Sequence, residues 1–125
     1  MKFEWSQYLV VAEALEAYPS SPQHREAFCR ACIGRAYYAA FGVAVEHIES
    51  QLSRKLSPAN KHSFVLGWFK SQPDRDCGPV AMLLGLLLVN RAKADYEKRF
   101  PDAQKTAPFC LAYARDAIAM IEAMK

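Results

Sequence analysis

Apolar residues recur at helical spacing in five separate stretches of the chain, and no stretch shows the strict alternation of a half-buried strand. Trp5, Tyr8, Ala12 and Leu15 open the series with Glu13 and Glu16 beside them, and Pro19-Ser20-Ser21-Pro22 breaks it. This pattern predicts a first helix over roughly residues 3–18. Ser21 before Pro22 reads as an N-cap followed by a proline in the first turn. Only the tolerated Gly34 and Gly42 interrupt the pattern before Ser57-Pro58, so a long second helix is expected over about 22–52. Its middle is apolar nearly all round and rich in Ala and Gly, which places it at the centre with neighbours packed on more than one side.

Ser57-Pro58 repeats the cap-and-proline signal, and Phe64, Val65, Trp68 and Phe69 supply the stripe of a short third helix ending near Gln72-Pro73. Asp76, Gly78 and Pro79 open a fourth, which is apolar over 80–89, polar from Asn90 and stopped by Pro101. Thr106 is placed to cap a fifth, with Phe109, Tyr113, Ala117, Met120 and Met124 as its stripe. The connections are short enough for neighbouring helices to run antiparallel. The expectation is one all-α domain over 1–125, an antiparallel bundle of about five helices.

Composition narrows the class. A chain of 125 residues, 52% hydrophobic, can bury a modest core without metal or disulfide staples. Glu4 and Glu13 interrupt the first apolar residues, which argues against a secretory leader. The apolar run 80–89 falls far short of the roughly 20 residues that span a bilayer, and reads as buried helix. A cytoplasmic location is the expectation. Cys29 and Cys32 have C-x2-C spacing, but they lie in a helical stretch with no second close pair of Cys or His. With Cys77 and Cys110 they are read as reduced, mostly buried thiols, and neither metal nor cofactor is expected. His24 and His47 have no motif around them and are assigned to the surface.

Charge is uneven. Residues 51–105 carry ten Lys or Arg against five acids, whereas the first fifty carry four against six. The basic half suits a phosphate-bearing partner, although a net charge of +3 is also ordinary for a solvated domain surface. Two segments join charge to aromatic rings. Residues 30–42 read RACIGRAYYAAFG, with Arg35 beside Tyr37 and Tyr38, and residues 90–96 read NRAKADY. Arg91 and Asp95 are four apart and share a helix face, as an ion pair at the edge of the apolar stripe.

GRAYYAAFG followed by NRAKADY, with NKHSFVLGWF between them, resembles the HEPN domain family, small helical bundles of toxin–antitoxin and defence systems. The resemblance implies that Arg35, Tyr37 and Tyr38 lie near Arg91, Asp95 and Tyr96 in a cleft, often at a dimer interface. On that footing Arg35, Arg91 and Lys93 form the phosphate- or RNA-binding set, and Tyr37, Tyr38, Asp95 and His62 form a supporting network. An Asp95 buried between two arginines would cost about 2–4 kcal/mol to remove. Active HEPN ribonucleases resemble one another in an Arg followed after four to six residues by His, the Arg holding the phosphate and the His assisting metal-independent attack by the 2′-hydroxyl. Counted from Arg91, those positions hold Tyr96, Glu97 and Lys98, so Arg91 and Tyr96 occupy the catalytic positions without the histidine. The expected partners are a second copy, RNA or a nucleotide, and a nucleotidyltransferase-type antitoxin. The alternative is a non-catalytic dimerisation module for such a nucleotidyltransferase.

Overall fold

The computed structural model describes residues 2–124 and contains five α-helices and no strand among them. They are α1 (Gln7–Ala17), α2 (Pro22–Leu52), α3 (Lys61–Ser71), α4 (Cys77–Tyr96) and α5 (Ala103–Ala123). The 31-residue α2 is about 46 Å long and packs against each of the other four. α5 lies along it and also touches α1 and α4, while α3 rests on α4 and α2. α1 and α4 do not touch. They flank α2 and leave a strip of its surface open between them.

The buried set follows from helical spacing. α2 contributes Cys29, Cys32, Ile33, Ala36, Tyr37, Ala40, Ala44 and Ile48, and α5 contributes Ala107, Cys110, Leu111, Ala114, Ala117, Ile118 and Ile121. Small residues dominate where α2 meets α5, which lets the two axes approach closely. The four cysteines are free and buried. Burial raises the thiols of Cys29 and Cys77 and pushes those of Cys32 and Cys110 up to about 12, so all four stay protonated and unreactive.

Several boundaries differ from the sequence pattern, each for a local reason. α1 begins at Gln7 rather than near residue 3, because Trp5 precedes the helix and packs against Gly42 of α2. A Cβ at Gly42 would clash with the Trp5 Cγ. Ser21 does precede α2 in extended conformation, but its hydroxyl meets His24 Nδ1 at 3.2 Å instead of capping a backbone N–H. α2 closes on Ser53 in the left-handed conformation, its N–H bonded to the Glu49 carbonyl. α3 starts at Lys61, since Ser57 forms a local turn by accepting the N–H of Ala59. α4 stops at Tyr96, five residues before Pro101. There Arg30 donates to the carbonyls of Ala94 (3.0 Å) and Glu97 (2.6 Å), and the chain turns out so that Phe100 reaches the core below the guanidinium. α5 starts at Ala103, ahead of Thr106, because Phe100, Ala103 and Ala107 are all buried and draw its first turn onto the bundle. Its inner stripe is therefore rotated from the expected one, and Phe109 is 61% exposed.

Segment 80–89 is not wholly buried. Val80, Ala81, Leu83, Leu84 and Leu87 face the core, while Met82, Leu86 and Val89 face outward. His47 is also corrected: it is buried, its ring 5.8 Å from that of Trp68 and 6.1 Å from that of Phe69. Its spacing from Tyr37, Ala40 and Ala44 puts it on the side of α2 that receives α3.

Candidate functional site

The open strip of α2 between α1 and α4 carries Arg35 and Tyr38, one turn apart. Tyr38 is half-buried, and two guanidinium groups face its ring. The Arg35 guanidinium carbon lies 5.4 Å from the ring centroid and that of Arg91, from α4, lies 5.3 Å from it. Arg35 is also 4.9 Å from the Tyr8 ring of α1, and Arg91 is 5.5 Å from the Tyr96 ring. The tyrosines thus take up the arginines with their π faces, whose negative quadrupole attracts a cation.

One carboxylate meets one of the two cations, Arg91. Asp95 Oδ2 lies 2.8 Å from Arg91 Nε, and its other oxygen rests 3.8 Å from where a Cβ on Gly34 would stand. The Nε–H is buried and not aimed along the contact, which is therefore Coulombic. Burial works against the Arg91 charge, yet Tyr38, Asp95 and Tyr96 hold its pKa above the ordinary arginine value, so it is cationic at every working pH. The Asp95 side chain is 37% exposed, so solvent screens the pair and its removal costs less than a buried pair would. Arg35 has no carboxylate partner among the described residues. It is held in place by two rings, with its donors available.

Tyr37 points the other way. It is buried, and its hydroxyl forms a short hydrogen bond with Nδ1 of His62, the second residue of α3. The imidazole stacks on Phe41 at 4.4 Å and on Tyr37 at 5.7 Å. Burial drives the Tyr37 phenol above its ordinary value, with Tyr38 adding to the rise and Arg91 opposing it. The hydroxyl therefore keeps its proton and needs an acceptor. Burial, together with the positive charges of Arg91 and Lys61, lowers the His62 pKa, so the imidazole is neutral near pH 7 and can be that acceptor. Accepting at Nδ1 leaves the proton on Nε2.

The structure thus brings Arg35, Tyr38, Arg91, Asp95 and Tyr96 together and sets Tyr37 with His62 directly behind them. Lys93 does not join this group. It is two residues from Arg91, about 200° round the helix, and is exposed on the far side of α4. Tyr8 was missed as a site residue, since its spacing on α1 reads as core, and Arg30 was missed as the residue that ends α4. Both are visible only once α1 and α4 are placed beside α2. Chemically, two guanidinium groups at one ring, only one of them paired with a screened carboxylate, can hold an anion, and flanking aromatic rings can stack on a planar group. Comparison of the chain with family models, with curated proteins and with solved structures gives no match in any of the three.

Proposed function

We propose that this chain is a HEPN-like protein of a prokaryotic toxin–antitoxin or defence system, acting in the cytoplasm by binding RNA or a nucleotide-bearing partner without cleaving it. The observation that carries this reading is the placement of Arg35 and Arg91 at 5.4 and 5.3 Å from one tyrosine ring, with a single screened carboxylate that pairs with Arg91 alone. A phosphate would supply the missing anion, and the exposed ring of Tyr96 would stack on a base. The resemblance of GRAYYAAFG and NRAKADY to the family points to the same two segments.

Cleavage through a 2′-hydroxyl needs a group that accepts a proton near neutral pH. Tyr96 stands at the first of the three positions where active relatives carry histidine, and an ordinary tyrosine titrates near 10. His62 is the nearest imidazole, but its Nδ1 is taken by Tyr37 and its Nε2 carries the proton, which makes it a donor. Binding without turnover follows. The same reasoning favours an interaction module for a nucleotidyltransferase-type antitoxin over a self-sufficient nuclease.

The test incubates the purified protein with mixed single-stranded RNAs in EDTA, alongside Arg91→Ala and Tyr96→His. The expected outcome is retention of RNA with no cleavage by the unmodified chain. Robust cleavage that disappears in Arg91→Ala would overturn the non-cleaving reading, and cleavage gained only in Tyr96→His would support it.

A further inference from the structure

The strip of α2 that carries Arg35 and Tyr38 does not end there. Gly42, Val45 and Glu49 follow Tyr38 at helical spacing, and over this stretch the strip becomes the floor of a cavity of about 400 Å³. Trp5, from the segment before α1, and Leu56, from the loop between α2 and α3, stand over that floor. These walls are held in place. Phe41, which also lines the cavity, is buried with the His62 ring stacked on it at 4.4 Å. Trp5 is seated against Gly42, where the absence of a Cβ admits it. Leu56 is buried, and its N–H donates to Glu49 Oε2 at 2.9 Å, which pins the loop to the end of α2. A preformed cavity of this size, apolar and aromatic with a few charges at its border, suits a small organic ligand.

Four charged side chains border it, two of each sign, so it favours no net charge in what it holds. Glu49 is engaged twice, by the Leu56 N–H and by Lys55 Nζ at 3.8 Å. Lys61 and Glu46 have no ion-pair partner among the described residues. Lys61 is half-buried at the start of α3, next to the His62 that stacks on Phe41. Glu46 is exposed five residues beyond Phe41, about 7.5 Å further along α2. One cavity thus carries an unpaired cation and an unpaired carboxylate at different points of its border. A simple anion would satisfy Lys61 and be repelled by the glutamates, a simple cation would meet the reverse, and an uncharged ring would use neither.

We propose that this cavity binds a free aromatic α-amino acid as its zwitterion. Lys61 holds the carboxylate, Glu46 holds the ammonium, and the side-chain ring enters among Trp5, Phe41 and Leu56. Tyr38 borders both this cavity and the arginine pair, but Arg35, Arg91 and Tyr96 are not among its walls. The proposal therefore stands whether or not the chain binds RNA, and it leaves the Tyr96 ring open.

Calorimetry with L-phenylalanine tests it, against hydrocinnamate, which lacks the ammonium, and phenethylamine, which lacks the carboxylate. L-phenylalanine should bind at least about tenfold more tightly than either, the effect of one lost charge-assisted contact. Lys61→Met should remove its advantage over phenethylamine, and Glu46→Gln its advantage over hydrocinnamate, with the helical circular dichroism unchanged. Should Lys61→Met disturb the start of α3, Glu46→Gln gives its reading from an exposed position. L-phenylalanine does not absorb where tryptophan is excited, so in a Trp68→Phe background it should also shift the emission of Trp5. No binding of L-phenylalanine, equal binding of the three probes, or a preference that survives both substitutions would each overturn the proposal.

Discussion

Tyr37 and Tyr38 are adjacent in the chain and belong to opposite regimes of the molecule. Tyr37 is buried, stacked and hydrogen-bonded to His62, so each of its polar and apolar groups has a partner inside the fold. Tyr38, about 100° further round α2, stands in the strip that α1 and α4 leave open, with two cations at its ring. The difference teaches where stability and recognition separate. The Tyr37 region is closed on itself, whereas the Tyr38 region carries a charge surplus that an outside anion can complete.

Substitutions at these two positions should break the comparison most visibly. Tyr37→Ala is expected to cost about 3–5 kcal/mol in chemical denaturation, since it removes a buried aromatic and strands the imidazole nitrogen. Tyr38→Ala should change stability by less than about 1 kcal/mol and weaken retention of single-stranded RNA by about 1–3 kcal/mol. Equal stability losses at both sites would erase the distinction.

Gly42→Ala probes the boundary between the regions, where Trp5 lies on α2. The added methyl has no space, so the indole must lift, at a cost of about 1–3 kcal/mol. In a Trp68→Phe background the remaining tryptophan emission should shift to the red. An unshifted spectrum would mean that Trp5 does not rest on Gly42.

Acid should act on the closed region through His62. Its pKa is lowered in the folded chain, so the unfolded chain binds the extra proton first as pH falls below the ordinary histidine value of about 6.5. Stability from this group is intact above that value and declines as pH drops toward the folded pKa, where the decline ends. His62→Asn should flatten the dependence of the denaturation midpoint over that window. An unchanged slope would remove His62 as its source.

Asp95→Ala should have the smallest effect on folding, about 1 kcal/mol or less, because the carboxylate is screened. It should tighten anion binding, since it frees Arg91 for an outside phosphate. A loss above 2 kcal/mol would return Asp95 to the buried network that the family resemblance implied.

Much of this fold is legible in the order of residues. Helix number and the central place of α2 follow from 3.6-residue spacing, whereas the grouping of Arg35 with Arg91 was implied only by the family resemblance of two short motifs. What spacing conceals is azimuth. Lys93 shares a segment with Arg91 but points the other way, and the buried His47 looks like a lone surface histidine. Boundaries were set by contacts distant in sequence, as where Arg30 ends α4 sixty-four residues away. The use of the Tyr38 ring was invisible for the same reason, because the two arginines reach it only after α2 and α4 are packed.

The central claim is that Arg35 and Arg91 form one anion site, and a salt titration of binding tests it directly. Fluorescence anisotropy with a labelled single-stranded RNA, repeated from low to physiological salt, gives a slope that counts phosphate contacts. The account predicts that Arg35→Ala and Arg91→Ala each weaken binding and each reduce that slope by about 0.7, the value for one phosphate contact on a single strand, while Lys93→Ala changes it less. Undiminished affinity and slope in the double Arg35→Ala, Arg91→Ala variant would contradict it.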